Sequence, residues 1–275
     1  MKIAIIGCGY VGQAIAKQWY AAGHELTVTT TSTDKVAKFT DFAQHVKVLE
    51  GNDQDALREI CEGQDVILLS VGSKGRTEES YRQSYVQTAQ NLQAVLQTNS
   101  TVKQLIYTSS YSVVGNHDGA WVDEETTDQP GHIFAEMLLE TESILQAIAT
   151  ENLNVCILRL GGIYGEGREI LKIFKRSMGE TKPGDGSEYS NWVHLEDIVG
   201  GIEFVRAHNL GGLFNLVADE PMQRHTMLAE LAAKYNLEPV IWDTSRRSPR
   251  AFNVRVSNKK IKSQGFTFKY STIQL

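Results

Sequence analysis

The chain has little cysteine, no excess of positive charge and no long apolar run. Its three cysteines, Cys8, Cys61 and Cys156, are scattered over 275 residues. An odd, isolated set builds no disulfide framework and lacks the paired spacing of a structural zinc site. No metal site is expected, and a reducing cytoplasm is the expected compartment. Lys and Arg number 27 against 33 Asp and Glu, for a net charge of −6, so the basic surface that non-specific nucleic-acid binding requires is missing. No apolar stretch approaches the roughly 20 residues of a membrane-spanning helix. The apolar run at the N-terminus, Ile3 to Ile6, is too short for a signal peptide and reads as a first strand. No internal repeat or low-complexity segment is present. What remains, 41% hydrophobic and 22% charged, is the composition of an ordinary globular protein able to bury a sizeable core. Neither nucleic acid nor membrane is expected as a partner.

The strongest positive signal is the opening, MKIAIIGCGYVG. A short apolar strand runs into Gly7-Cys8-Gly9-Tyr10-Val11-Gly12, and a helical pattern follows to about Tyr20. Strand, glycine turn and helix start in succession form a phosphate cradle. Gly7 allows the tight turn, Gly9 clears the approach of a pyrophosphate, and Gly12 lets the helix pack on the sheet. The helix N-terminus, at Tyr10 and Val11, offers N–H groups to the anion. Dinucleotide binding is the expected function of this segment.

Strand and helix patterns then alternate. Strands are expected at Lys2–Ile6, Leu26–Thr30, Val46–Leu49, Val66–Ser70, Gln104–Ser109 and Asn154–Leu160, with helices near Gly12–Ala21, Thr33–Phe39, Asp55–Glu62, Glu79–Gln97 and Ile133–Thr150. Such alternation predicts an α/β fold, a Rossmann-type doubly wound parallel sheet over residues 1–165. After Gly165 the rhythm breaks. Ile170–Ser177, a loop at 182–187, a short strand at Asn191–His194, a helix from Leu195, then Leu213–Val217, Met227–Tyr235 and Val240–Trp242 predict a smaller C-terminal α/β lobe over 166–275. Part of that lobe has the option of returning to the sheet, and the lobe is expected to close the crevice.

Three strand ends carry small or hydroxylated residues: Ser70-Val71-Gly72, the run Tyr107 to Gly115, and Leu158-Arg159-Leu160-Gly161-Gly162-Ile163-Tyr164-Gly165. Ligands of open α/β sheets bind at the carboxyl ends of strands. All three are therefore expected to converge beside the glycine loop, which makes Ser70, Val71, Gly72, Gly162 and Ile163 cofactor candidates.

These segments together resemble the extended short-chain dehydrogenases/reductases, the group called the NAD-dependent epimerase/dehydratase family. The likeness rests on GCGYVG at 7–12, YTSSYSVVG at 107–115 (the family's SS-x-x-VYG), LRLGGIYGEGR at 158–168, WVHLEDIV at 192–199 and LFNLVADEP at 213–221. It implies a small-molecule substrate, with a nucleotide sugar or another carbonyl compound as candidates, and a hydride exchanged with a nicotinamide. It also exposes a departure. Members that do redox chemistry carry a YxxxK pair on the helix after the SS-x-x-VYG strand. Registering Glu142 on the family's following glutamate puts Phe134 and Leu138 at the pair; a register shifted by two puts His132 and Glu136 there but aligns less well. No YxxxK occurs anywhere in the chain. Val114 replaces the motif's tyrosine, and Tyr85 stands where an asparagine is usual. Ser110 remains at the position that hydrogen-bonds the reacting oxygen. Ser110, Tyr111 and Tyr85, in that order, are the candidates for a non-standard proton donor.

About 20 residues past the glycines an NAD enzyme usually offers a carboxylate to the ribose. Here the chain reads Thr29-Thr30-Thr31-Ser32-Thr33-Asp34-Lys35. Hydroxyls with Lys35 suit a 2′-phosphate, which favours NADP with NAD as the alternative; the competing reading is a solvated loop with a helix cap at Thr33. Thr31, Ser32 and Lys35 are the specificity candidates. Asn52 and Asp53 sit where the family contacts adenine. Arg246-Arg247-Ser248-Pro249-Arg250 reads as a solvated loop, with an anion clamp as the alternative. An oxidoreductase or epimerase is the leading expectation, and a non-catalytic NAD(P)-binding regulator or redox sensor is the rival.

Overall fold

The structure is a computed structural model that describes residues 1–98, 101–250 and 252–275. Its centre is a seven-stranded sheet: β1 Lys2–Ile6, β2 Glu25–Thr30, β3 His45–Val48, β4 Val66–Leu69, β5 Gln104–Ser110, β6 Asn154–Leu160 and β7 Gly212–Leu216, in the order β7-β6-β5-β4-β1-β2-β3. The pairs β1–β2, β2–β3, β1–β4 and β4–β5 are all parallel. From β1 the chain winds outward through β2 and β3, then returns to the other side of β1 as β4. The order therefore reverses between β1 and β4, the switch point at which α/β sheets bind ligands. Ile6 pairs with Leu69 there, and the Ser70 N–H donates to the Ile6 carbonyl at 2.8 Å. The glycine loop and the Ser70-Val71-Gly72 segment leave the sheet side by side.

The principal helices are α1 Tyr10–Ala21, α2 Gln54–Cys61, α3 Thr88–Leu96, α4 Ile133–Gln146, α5 Leu195–Ala207 and α6 Arg224–Tyr235. Strand side chains alternate faces. Ala4, Ile6, Ile67, Leu69, Leu105, Tyr107, Val155 and Ile157 consequently share one face of the sheet and pack on Leu57, Ile60, Ala89, Leu92, Val95 and Leu145 of the covering helices. The helix expected over Glu79–Gln97 is present but not uniform. An α-helical turn, Glu78–Tyr81, passes through a π-helical turn, Arg82–Gln87, before α3. Thr88 Oγ1 donates to the Gln83 carbonyl five residues back, and Gly51 accommodates that threonine, since a Cβ on it would lie 1.8 Å from Thr88 Oγ1. Local apolar periodicity does not register such an inserted residue.

Two compact units interleave along the chain rather than meeting at a single cut near residue 165. The first comprises Met1–Ser110, Ile133–Arg159 and Val199–Phe214, and the second Tyr111–His132, Leu160–Ile198 and Asn215–Leu275. The strand expected at Leu213–Val217 joins the central sheet as its edge strand β7, the return to the sheet that the sequence left open. Tertiary bonds bring it back. Gln104 Nε2 donates to the carbonyls of Val205 and Leu210, and Asn154 Nδ2 to that of Asn209, tying the end of α5 to β5 and β6. Trp19, fully buried in α1, donates Nε1–H to Glu203 of α5 at 2.7 Å.

The second unit has its own small core, in which Tyr164, Ile170, Met227, Leu228 and Leu231 pack with Trp192 and Trp242. Short strands supply its backbone pairing. Gly162–Tyr164 runs parallel to Trp192–His194, Thr181–Pro183 parallel to Ile241–Asp243, and Tyr189–Ser190 antiparallel to Met222–Gln223.

Candidate functional site

In the first unit the loop after β1 is fastened by Thr29, whose Oγ1 accepts the Gly7 N–H and whose carbonyl accepts the Cys8 N–H, both at 2.9 Å. Gly7 has φ +92°, and a Cβ there would lie 2.5 Å from the Ser70 carbonyl oxygen; a Cβ on Gly12 would lie 2.6 Å from the Gly7 oxygen. Protein packing accounts for both glycines. Gly9 is different. Its φ is −83°, and nothing stands within 4 Å of the space a Cβ would take. The protein itself leaves room for a side chain there, so the bare position answers to something that approaches from outside. Gly9 also caps α1, whose first turn holds Tyr10, Val11 and Gly12 and carries no acidic residue. The first N–H groups of a helix have no intrahelical acceptor and face an anion.

Above this loop lies a cavity of about 280 Å³, lined by Gly7, Gly9, Thr31, Lys35, Ser70, Val71, Gly72 and Lys74 among others. No carboxylate lines it among the described residues, whereas two lysines do. Burial pushes the Cys8 thiol up to about 12, and Lys35 and Lys38 both pull against that rise. Two ammonium groups therefore put a positive field on the glycine loop. A cavity of about 90 Å³ that shares Thr31, Gly51, Val71, Gly72 and Lys74 with the larger one is also lined by Asn52 and by Glu50, which forms a 2.6 Å ion pair with Lys74.

Of the candidates from the sequence, Gly7, Gly9, Thr31, Lys35, Ser70, Val71 and Gly72 meet in the larger cavity, and Asn52 lines the smaller one. Ser32 lines neither; its N–H bonds back to Thr30 Oγ1 at 3.2 Å as the chain turns into Thr33–Lys35. That turn starts from Ser32 with no side-chain cap, so Thr33 is not the cap expected of it. Asp53 lines neither cavity; it is the N-cap of α2, its Oδ1 accepting the Ala56 N–H at 3.0 Å. Gly162 and Ile163 belong to the second unit. They are not among the residues lining the two cavities, and the bare face of Gly162 is filled by the Trp192 ring, 2.7 Å from where a Cβ would sit. Lys74 was not anticipated, although its place two residues past Gly72 at a strand end made it legible.

The hydroxyl run at the end of β5 divides by strand alternation. Thr108 Oγ1 donates to Ser70 Oγ at 3.1 Å, on the same strand face as Ser110, which closes β5 half-buried. Ser109 points the other way and donates to Glu142 at 2.5 Å. Glu142 is itself held by the Arg159 guanidinium (Nη2 to Oε2, 2.7 Å), with both side chains only 2% exposed. That buried pair ties α4 to β5 and β6. Further along α4, the Phe134 ring lies 4.5 Å from that of Tyr81, and Leu138 is buried. The helix position that the family resemblance assigns to the proton donor is thus packed with apolar side chains.

Tyr111 begins the second unit. Its ring meets Phe252 edge-on at 5.6 Å, and its hydroxyl accepts a hydrogen bond from Arg250 Nη2 at 3.2 Å. Arg250 also donates to the buried Ser190 hydroxyl at 3.0 Å and lies over the Phe252 ring. Arg250 is therefore built into the unit, which corrects its expectation as part of a solvated loop; Arg246, paired with Asp243 at the surface, keeps that description. Arg224 lies over the Trp242 ring. Burial, and next the Arg250 charge, make Arg224 less basic than an ordinary guanidinium, with Glu188 opposing. No group of three or more His, Cys, Asp or Glu able to hold a metal occurs among the described residues, and no described helix is long and apolar enough to cross a membrane.

A parallel sheet with a glycine cradle at its switch point defines a Rossmann-type nucleotide-binding protein. The chain belongs to the NAD-dependent epimerase/dehydratase family, whose sequence model matches residues 3–216. It is 29% identical over 276 residues to Protein YeeZ of Escherichia coli K12, covering 98% of this chain and 96% of that one. Among solved structures it resembles human SDR39U1, crystallised with NADPH (TM-score 0.78, 16% identity, 99% of this chain and 96% of that chain). It also resembles MoeE5 in complex with UDP-glucose and NAD (TM-score 0.82, 17% identity, 98% and 94%).

Proposed function

We propose that the protein is a dinucleotide-dependent oxidoreductase or epimerase that prefers NADP, with NAD as the alternative, and acts on a small carbonyl compound through a non-standard proton donor. The observation that carries it is Gly9: a glycine that no protein contact requires, opening on a cavity with two lysines and no carboxylate. Gly7, Gly9 and Gly12 with the start of α1 would hold the pyrophosphate. Thr31 and Lys35 would take the 2′-phosphate, and Asn52 would stand beside the adenine. A bound nicotinamide would supply hydride to a carbonyl carbon. Ser110, half-buried at the end of β5, would hydrogen-bond the reacting oxygen, with Tyr111 the other candidate from the same segment. Family membership leaves a nucleotide sugar or another carbonyl compound as the substrate class. The relatives crystallised with NADPH and with UDP-glucose plus NAD are consistent with this choice. Three buried cysteines, none of them in a disulfide, fit a reducing compartment such as the cytoplasm.

Calorimetric titration with NADPH and NADH tests the cofactor. NADPH is expected to bind about 10- to 100-fold more tightly, the strength of one or two charge-assisted hydrogen bonds, and Lys35→Glu should reverse the order. Tighter binding of NADH by the unaltered chain would overturn the NADP preference. Binding of neither would overturn the dinucleotide site itself. A second reading, a nucleotide-binding regulator without chemistry, is favoured by the apolar packing of Phe134 and Leu138. It predicts tight binding with no hydride turnover on aldehydes, ketones or nucleotide sugars.

A further inference from the structure

An ion pair joins two strand-end segments of the first unit. Glu50 stands two residues past β3 and Lys74 five past β4, and Lys74 Nζ lies 2.6 Å from Glu50 Oε1. β1 and β2 lie between those strands in the sheet, so β3 and β4 are roughly 14 Å apart. A bond between the segments that follow them has to cross the carboxyl ends of β1 and β2, where the glycine loop and Thr31 leave the sheet. Both roots of this bridge are fixed. The Ser73 hydroxyl donates to the Gly75 carbonyl at 2.6 Å and lies 2.7 Å from that of Ser80, which also accepts the Gly75 N–H at 3.2 Å. On the other side Asn91 Nδ2 donates to the Gly51 carbonyl at 2.9 Å, and Thr88 fills the bare face of Gly51. The tips are free to move, since the Lys74 and Glu50 side chains are 56% and 59% exposed. An exposed pair of this kind shifts an equilibrium by about fivefold at most.

Lys74 and Thr31 border both cavities, whereas Glu50 borders the smaller and not the larger. An anion in the larger cavity and the Glu50 carboxylate therefore draw on the same ammonium, a point charge on a flexible stem. We propose that the pair is a clasp over the cofactor site: Lys74 leaves Glu50 for the 2′-phosphate of a bound dinucleotide, and Glu50 competes against that transfer. The proposal rests on the NADP reading above, in which Thr31 and Lys35 take the same phosphate. A phosphate monoester carries close to two charges and three acceptor oxygens, enough for both lysines and the Thr31 hydroxyl. NAD offers only a neutral hydroxyl there, so with NAD bound Lys74 stays on Glu50. Selection thus has two parts, a lysine that binds the phosphate and a carboxylate that keeps the lysine occupied without it.

Calorimetric titration of the whole protein reads both residues. Lys74→Met should weaken NADPH binding about tenfold, the strength of an exposed charge-assisted hydrogen bond, and leave NADH within about twofold. Glu50→Gln should tighten NADPH by about two- to fivefold and leave NADH unchanged. Adenosine 2′,5′-bisphosphate should follow NADPH, and adenosine 5′-phosphate, which lacks only the 2′-phosphate, should follow NADH. The unfolding midpoint of either variant should stay near that of the parent, because an exposed pair holds little of the fold. A Lys74→Met loss shared equally by NADPH and NADH, or no loss at all, overturns the clasp; so does weaker NADPH binding by Glu50→Gln. In each case a parent that still prefers NADPH leaves the NADP reading standing. A parent that prefers NADH, with the bisphosphate still following both substitutions, keeps the clasp and removes the NADP preference.

Discussion

The first unit has two ends of unequal character, both built from residues that the family resemblance marks. At the nucleotide end, around Gly7, Gly9 and Lys35, main-chain groups and ammonium charges surround open space. At the acid end, around Phe134 and Leu138, the space is filled by the Tyr81 ring and by apolar side chains. Behind the acid end, Glu142, Arg159 and Ser109 still lock α4 onto the strands. The scaffold that would aim a proton donor survives although the donor on it does not. On the proposed reading, binding and proton transfer would therefore be held by different elements.

Breaking the lock behind the acid end should have the largest effect. Arg159→Met leaves the Glu142 carboxylate buried without its partner, which costs about 3–5 kcal/mol. Urea denaturation should register that loss, while the double variant Arg159→Met with Glu142→Leu should recover much of it. A single variant as stable as the parent would mean that the pair holds nothing together. The glycine loop is sharpened by substituting Gly9, which unlike Gly7 and Gly12 is not required by packing. Gly9→Asp should weaken NADPH binding by about 10- to 100-fold, since a carboxylate then faces the anion. Its unfolding midpoint should hardly move, because nothing in the protein occupies that space. Gly7→Ala should instead destabilise the fold, having a positive φ and a 2.5 Å contact to relieve.

The smallest effect comes from alkali. Cys8 at the nucleotide end and Cys61 on α2 are both pushed by burial from 9.0 up to about 12. Each folded thiol holds its proton more tightly than the unfolded one, so their contribution is complete below pH 9 and is lost as pH rises toward 12. Stability should fall by about 1.4 kcal/mol per thiol for each pH unit in that window. Cys8→Ala should flatten the slope measured by denaturation between pH 9 and 10, and an unchanged slope would show that Cys8 does not contribute to it.

Much of the fold was legible because the sheet strands are short apolar runs between helical patterns. β1 and β6 have the bounds their composition predicts; β2, β4 and β5 differ by a residue at one end, and β3 by a residue at both. Element bounds were hidden where a long-range bond decides them. β7 looks like any strand of a later lobe until Gln104 and Asn154 tie the preceding helix to the sheet. The glycine loop was legible because the approach of backbone to phosphate demands glycine at fixed spacing. Asp53 was ambiguous because a carboxylate just before a helix serves as a cap as readily as a ligand. Arg250 misled because a basic, proline-containing segment looks solvated whether or not an aromatic ring and a buried serine await it.

By itself the sequence determined the Rossmann-type sheet, the glycine loop after its first strand and the absence of a YxxxK pair. Each is written in local spacing, which strand and helix geometry translate directly into position. Only the tertiary structure decided that Gly9 faces open space, that Arg250 is held by Ser190 and Tyr111, and that Thr88, just past a π-helical turn, nests against Gly51. Those facts depend on groups brought together from distant parts of the chain, and no spacing along it records them.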